Sequence, residues 1–196
     1  MESMETMLDL HAKSLAAGSL ETDQPARRIP LAYLITFTCY GTRVHGDEWG
    51  SVDHDHNLPG SPFLSPDRVR EAAEQRQMRQ GCYELDRRRR DVVLTAIAEA
   101  SVYKNWRILA VHVRRTHVHT VVAAPESPEK ILAHYKSYAS RALNRNGIDD
   151  KGRKRWSRHG STRYLWKPQE VRAAIEYVIR GQGEAMAVWE SKEPSW

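Results

Sequence analysis

Two histidines separated by one residue are the feature of this sequence that most directly suggests chemistry. His117 and His119 begin the segment HVHTVVAA, whose β-branched residues are typical of a strand. Because side chains alternate along a strand, both imidazoles are predicted on one face of a sheet, with Val118 on the other. Two nitrogen donors on a rigid element could bind one divalent cation. The alternative is a pair of surface histidines on an open sheet face.

A tyrosine late in the chain is a candidate nucleophile. Residues 168–180 have helical spacing, and their apolar stripe consists of Val171, Ala174, Ile175, Val178 and Ile179. At about 100° per residue, Tyr177 lies about 130° from the centre of that stripe, which places it outside the core of its own helix. A phenol that attacks a phosphodiester conserves the bond energy for later resealing. The alternative is an ordinary surface tyrosine.

Positive charge is concentrated in one part of the chain. The net charge is +5, and residues 141–158 contain seven basic and two acidic residues. Such a cluster attracts phosphates through counterion release, and exposed aromatic rings can stack on unpaired bases. A solvated loop is the alternative, but we favour nucleic acid as the partner. The candidate contacts are Lys136, Arg141, Arg145, Arg153, Lys154, Arg155, Trp156, Arg158, His159 and Arg163.

The elements that must position these residues predict an α+β domain. Hydrophobic spacing predicts strands over 31–44, 106–115 and 117–124 and helices over 66–80, 86–104, 128–146 and 168–180. The two adjacent strands are expected to form a hairpin. This order is a β-α-β-β-α unit with additions, in which helices cover one face of an antiparallel sheet. The other face is then left for a ligand.

The chain divides into three predicted parts. Residues 1–29 are expected to be a weakly ordered segment, residues 30–190 one catalytic domain with an insertion at about 45–80, and residues 191–196 a tail. The insertion holds a second histidine pair, His54 and His56, in a stretch rich in glycine and proline where a common face is not guaranteed. We find no secretory signal and no membrane-spanning run, so we expect a cytoplasmic protein with no membrane partner.

These features together resemble the HUH single-tyrosine transposases of small bacterial insertion sequences, including the REP-associated tyrosine transposases. The likeness extends over about residues 31–190 and rests on the histidine pair, the helical segment YKSYASRALNR and the late helix AIEYVIRGQG. It implies a ferredoxin-like (RRM-like) fold with a C-terminal helix carrying the tyrosine, and a nuclease that acts on single-stranded or hairpin DNA. His117 and His119 would hold Mg²⁺ or Mn²⁺, and Tyr177 would form a 5′-phosphotyrosine and leave a free 3′-OH. The resemblance also slightly favours a homodimer.

One position departs from the pattern that this resemblance implies. Many relatives carry a third metal ligand, a glutamine, four residues after the tyrosine, whereas this chain has Gly181 there and the glutamine at Gln182. In a continuous helix Gln182 would point about 140° away from Tyr177. Gln182 can therefore be the third ligand if the helix breaks near Gly181; otherwise the ligand is another residue.

Two other functions fit the same residues. A binding module would hold single-stranded DNA or RNA on this sheet without cutting it. A hydrolase would use the histidines to activate water, with the tyrosine as a bystander. Only the tyrosine mechanism predicts a covalent adduct between protein and DNA.

Overall fold

The computed structural model describes residues 29–42, 76 and 78–192 of the 196-residue chain. The predicted N-terminal segment up to residue 28, most of the 66–80 helix, and His54 and His56 lie outside the described residues. The described elements are β1 (Ala32–Thr38), α1 (Arg87–Lys104), β2 (Arg107–Val113), β3 (His117–Ala123), α2 (Pro128–Arg145), β4 (Ser161–Leu165), α3 (Pro168–Ile179) and β5 (Ala187–Glu190). None of these helices is long and apolar enough to cross a membrane.

The five strands form one sheet in the order β4-β1-β3-β2-β5. Every neighbouring pair is antiparallel, so the predicted antiparallel sheet and the hairpin of β2 and β3 are confirmed. β3 lies at the centre, and His119 on it faces Thr36 of β1 on one side and His112 of β2 on the other. The histidine pair is therefore carried by the best-supported strand of the sheet.

Helices pack against both faces of this sheet. On one face α1 and α2 cover the larger core, in which residues such as Phe37, Ile97 and Tyr135 are fully buried. On the opposite face α3 covers a smaller core that includes Val121 and Val178. The face predicted to be left for a ligand is thus partly covered by the helix that carries Tyr177.

Three strands differ from the sequence-based prediction. The first strand ends at Thr38, and a turn follows at residues 40–42 in which Gly41 adopts a left-handed φ of 73°; residues 43–44 of the predicted strand lie outside the described residues. β4 and β5 were not predicted at all. Both are edge strands, and in β4 Leu165 is the one buried residue, so neither strand carries the alternating hydrophobic pattern that predicts a strand.

Candidate functional site

His117 and His119 lie side by side on the face of β3 that α3 partly covers. Their ring centroids are 4.8 Å apart, while Val118 between them is completely buried in the core on the opposite face. The alternation of side chains along the strand is therefore as predicted. Because a metal bond to an imidazole nitrogen is about 2 Å long, two rings at this separation can each present a nitrogen to one ion.

The immediate surroundings of His119 hold its ring in a fixed orientation. Its Nδ1 is hydrogen-bonded to the Thr36 hydroxyl at 2.7 Å, and either atom can donate. Burial, reinforced by the nearby His117, lowers the pKa of His119 to about 3. The ring is therefore neutral at physiological pH, which is the state in which an imidazole binds a metal. With Nδ1 bonded to Thr36, Nε2 is the nitrogen that remains for a cation.

A third histidine on this face has a structural task. His112 is fully buried, its Nδ1–H donates to the Val178 carbonyl at 2.9 Å, and its Nε2 accepts from the Met186 backbone N–H at 3.2 Å. Burial lowers its pKa, so the neutral form with one donor and one acceptor nitrogen is favoured. Both nitrogens are thus occupied, and they tie β2 to the end of α3 and to the segment that follows it.

Tyr177 extends from α3 next to the histidine pair. Its ring centroid lies 5.6 Å from that of His119, with the ring planes at 76°. Val171, Ala174 and Val178 form the buried stripe of α3, so Tyr177 is outside the core of its helix, as its angular position predicts. It is 46% exposed, which leaves the phenol accessible to a ligand from solvent. The tyrosine and both histidines meet within one chain.

Helix α3 ends shortly before Gln182, the residue that the family resemblance suggests as a third metal ligand. α3 stops at Ile179, and the N–H of Gly181 donates to the Tyr177 carbonyl in a turn. The Gln182 amide nitrogen then donates to the same carbonyl at 3.3 Å, and the Gln182 side chain lies close enough to His119 to raise the pKa of that imidazole. The helix break that the sequence required for Gln182 is therefore present, and the side-chain amide lies with His119 and Tyr177.

The donor set of this site is two imidazoles and one amide oxygen. Among residues 29–42, 76 and 78–192, no group of three or more His, Cys, Asp or Glu side chains could hold a metal ion. Any cation here would therefore depend on His117, His119 and Gln182. Mn²⁺ accepts nitrogen and oxygen ligands of this kind, and the Thr36 bond to Nδ1 is the type of contact that orients a metal-binding histidine. The residues present thus fit a divalent ion.

The basic residues named from the sequence fall into two groups. Those that are solvent-exposed and so accessible to DNA phosphates are Arg141, Arg145, Lys154, Arg158, His159 and Arg163. Of these, Arg145 lies 3.6 Å from the Glu99 carboxylate in a surface ion pair. Arg163 points to the same face as the histidine pair, because it is paired with Leu34 of β1.

The other group makes contacts within the domain, and its role in DNA binding stays a prediction. Arg155 is buried and forms an ion pair with Asp149 at 3.0 Å. The Arg153 guanidinium donates to the backbone carbonyls of Gly81 and Cys82. These two arginines fasten the basic loop to the domain. Their charge is used within the fold because their partners lie far away in the sequence, which spacing alone does not reveal.

Lys136 and Trp156 are also part of this internal framework. The Lys136 ammonium donates to the Ser157 carbonyl at 2.8 Å and the His159 carbonyl at 3.0 Å, and burial lowers its pKa to about 8. The Trp156 indole N–H donates to the Ser140 hydroxyl at 3.0 Å. Lys136 therefore positions the loop that displays Arg158.

A cleft next to Tyr177 is the feature that sequence reasoning missed. It has a volume of about 560 Å³ and lies between α3 and the strands β1 and β4. Thr36, Ser161 and Arg163 line it from the sheet, and Gln169 and Ala173 line it from the helix. The spacing of Gln169, Ala173 and Tyr177 by four could have indicated one helix face. The opposite wall depends on strand pairing and was not accessible from the sequence.

Comparison with known proteins identifies one matching family. Residues 77–169 match the family of IS200-like transposases, which confirms the resemblance found from the sequence. The matched region includes both histidines of the pair and ends before Tyr177. No curated protein matches this chain.

Two solved structures are similar to this chain at low sequence identity. A REP-associated tyrosine transposase bound to a REP hairpin is 12% identical, with 82% of this chain and 72% of that one covered and a TM-score of 0.45. A protein from Deinococcus radiodurans R1, described as a transposase, is 13% identical, with 84% and 100% covered and a TM-score of 0.41.

Proposed function

On the premise that this chain resembles the IS200-like transposases over residues 77–169, we propose that it cleaves and rejoins single-stranded or hairpin DNA during transposition. Tyr177 is the nucleophile, and His117, His119 and Gln182 hold a divalent metal ion. Residues 30–190 form the catalytic unit. The strand order β4-β1-β3-β2, with α1 and α2 on one face, supports a ferredoxin-like fold for this unit.

The observation that carries the proposal is the meeting of three separate segments on one sheet face. The His119 ring is 4.8 Å from that of His117 and 5.6 Å from that of Tyr177. Gln182 donates a hydrogen bond to the backbone carbonyl of Tyr177, and its side chain lies near His119. An ordinary surface tyrosine would not need the helix to end just after it and bring the Gln182 amide next to the same histidine. Because Tyr177 and both histidines lie together in one chain, this arrangement supports a tyrosine that acts at the histidine pair of its own subunit.

Tyr177 performs the bond exchange. Its oxygen attacks the phosphorus of the cleaved phosphodiester, the P–O3′ bond breaks, and the 3′ oxygen takes up a proton while the phenol loses one to solvent. One phosphate ester replaces another, so the 3′-OH of the same or another strand can attack the phosphotyrosine and rejoin DNA without an external energy source. Holding the phenol beside the bound strand makes cleavage effectively unimolecular.

The metal site supplies electrostatic help when it is filled. His117, His119 and Gln182 would hold Mg²⁺ or Mn²⁺, which would supply Lewis-acid polarisation of a phosphate and stabilisation of negative charge on a leaving oxygen. The chain itself contributes a neutral His119, oriented by Thr36, and an amide oxygen from Gln182 that is directed by the hydrogen bond to the Tyr177 carbonyl.

Exposed basic side chains on the domain surface support DNA as the partner. Arg158 and His159 lie on the loop that Lys136 holds in place, and Arg163 lines the cleft at Tyr177. Each such charge that neutralises a phosphate releases counterions, so binding is expected to weaken steeply with salt.

The test is covalent capture. Wild-type protein is incubated in Mn²⁺ with single-stranded and hairpin oligonucleotides labelled on the segment 3′ to the cleaved bond, and protein is separated in denaturing gel. We expect a labelled protein band with wild type and none with Tyr177→Phe. Equal binding by both proteins with no adduct would establish the binding module. Free 5′-phosphate products that persist in Tyr177→Phe would establish the hydrolase.

A further inference from the structure

The cleft beside Tyr177 is lined by both apolar and polar residues, a combination that suits a nucleotide. Leu34 and Ala174 contribute apolar lining. Arg163 and Gln169 contribute a charged and a polar residue to the same lining. Its volume of about 560 Å³ lies within the range of roughly 300–1,000 Å³ that is usual for small-molecule sites.

We propose that this cleft binds an unpaired base near the cleaved phosphate and that Gln169 determines which base is accepted. The proposal rests on the function proposed above and adds a specificity residue to it. A side-chain amide carries both a donor and an acceptor, so it distinguishes bases by the pattern on their edges. Small side chains at Ala173 and Ala174 leave room for the face of the base.

The position of Gln169 fixes how far the recognised base lies from the chemistry. Gln169, Ala173 and Tyr177 follow one line along α3, and the rise of 1.5 Å per residue puts Gln169 about 12 Å from Tyr177 along the helix axis. At about 3.4 Å per stacked nucleotide, the base lies within about three or four nucleotides of the cleaved phosphate. Recognition and cleavage would thus share one helix.

The charges around the cleft allow a strand to enter. Arg163 is exposed and available to a phosphate, and the one carboxylate lining the cleft belongs to Glu170. That carboxylate accepts hydrogen bonds from the backbone N–H groups of Trp166 and Lys167, and it also lies near Arg163. Its charge is therefore engaged at the start of α3. Among the residues that line the cleft, Gln169 contributes the side-chain amide, which can pair with a base edge through a donor and an acceptor together.

The experiment measures base preference directly. Adduct formation in Mn²⁺ is measured for wild type and Gln169→Ala on a set of oligonucleotides. The set varies the four nucleotides on either side of the cleaved bond one position at a time, and each position carries in turn every base or an abasic residue. Wild type should prefer one base at one position by about 5- to 150-fold, the range of a good amide–base contact. Gln169→Ala should lose that preference and keep any preference at the other positions.

A second pair of variants tests the cleft itself. Ala173→Phe fills the cleft and should slow adduct formation on the preferred oligonucleotide, but not on one that is abasic at the recognised position. Ala133→Phe is the matched control, because Ala133 is an exposed alanine of α2, which packs on the opposite face of the sheet. Thermal unfolding of all variants confirms that they fold.

The outcomes separate the inference from the function beneath it. If Gln169→Ala keeps the wild-type preference at every position while forming adducts, the inference is wrong and the proposed function stands. If wild type forms no adduct on any oligonucleotide, the proposed function fails, and the inference fails with it.

Discussion

Gly181 should control the placement of Tyr177, the proposed nucleophile, and replacing Gly181 with alanine measures this control. A Cβ at Gly181 would lie 2.8 Å from the Tyr177 carbonyl oxygen and 3.1 Å from Cδ2 of its ring. Ordinary contacts of a Cβ are at about 3.5 Å or more, so the tyrosine or the turn must shift by several tenths of an ångström. A misplacement of about 1 Å at a reacting group can cost about 100-fold in rate. We therefore expect Gly181→Ala to slow adduct formation by about 10- to 100-fold.

The turn at Gly181 is exposed and its φ is not in the left-handed region, so the shift should be confined to the turn and the Tyr177 side of α3. An unstrained glycine-to-alanine change alters the free energy of unfolding by about 1 kcal/mol or less, and the close contact with the Tyr177 carbonyl adds a loss of stability that must be measured beside the rate. Gly152→Ala is the matched control, since a Cβ there meets nothing within 4 Å. The assay is single-turnover adduct formation at saturating Mn²⁺, with thermal unfolding in parallel. Equal rates for Gly181→Ala and wild type would refute the reasoning, as would an equal loss in Gly152→Ala.

Three further predictions concern groups around the site. Thr36→Val removes the hydrogen bond to Nδ1 of His119 and should weaken Mn²⁺ binding about 10- to 100-fold, measured by calorimetry without DNA; unchanged affinity would exclude an orienting role. Arg155→Met breaks the buried ion pair with Asp149 and should lower the free energy of unfolding, measured by urea titration, by about 3 kcal/mol. The control variant Arg158→Met changes an exposed residue, so it should leave that free energy unchanged and reduce the salt dependence of DNA binding. Burial lowers the pKa of Lys136 in the folded state to about 8. Between about pH 8 and 10.5 the folded protein therefore binds fewer protons at Lys136 than the unfolded chain does. The free energy of unfolding, measured in urea, should rise with pH across that window by more in wild type than in Lys136→Met.

The sequence was sufficient for those parts of the site that depend on local periodicity. The period of two on β3 put His117 and His119 on one face, and the helical period of α3 put Tyr177 outside the apolar stripe. The pair of glycines after the tyrosine also indicated where the helix could break to bring Gln182 back. Each of these inferences needs only the geometry of one element, which a single segment of sequence specifies.

Long-range pairing was not accessible in the same way. Thr36 reaches His119 because β1 and β3 are paired in one particular register, although the two residues are 83 positions apart in the chain. Arg155 and Arg158 are both arginines of the same basic segment, yet Arg155 is buried beside Asp149 and Arg158 is exposed. A cluster of basic residues in the sequence predicts a basic surface. Which of those residues are exposed on that surface depends on where an acidic partner lies after folding.

The three histidines of this sheet face show how one residue type is assigned two tasks by its surroundings. His112 uses both ring nitrogens on backbone groups, Val178 carbonyl and Met186 N–H, at either end of the turn that contains Gln182. His119, its cross-strand neighbour, uses one nitrogen on a threonine and keeps the other for a ligand. Loss of the His112 ring would leave two backbone groups unpaired and free both ends of the turn at once. The position of the tyrosine and of its amide neighbour therefore depends on a histidine that takes no part in the chemistry.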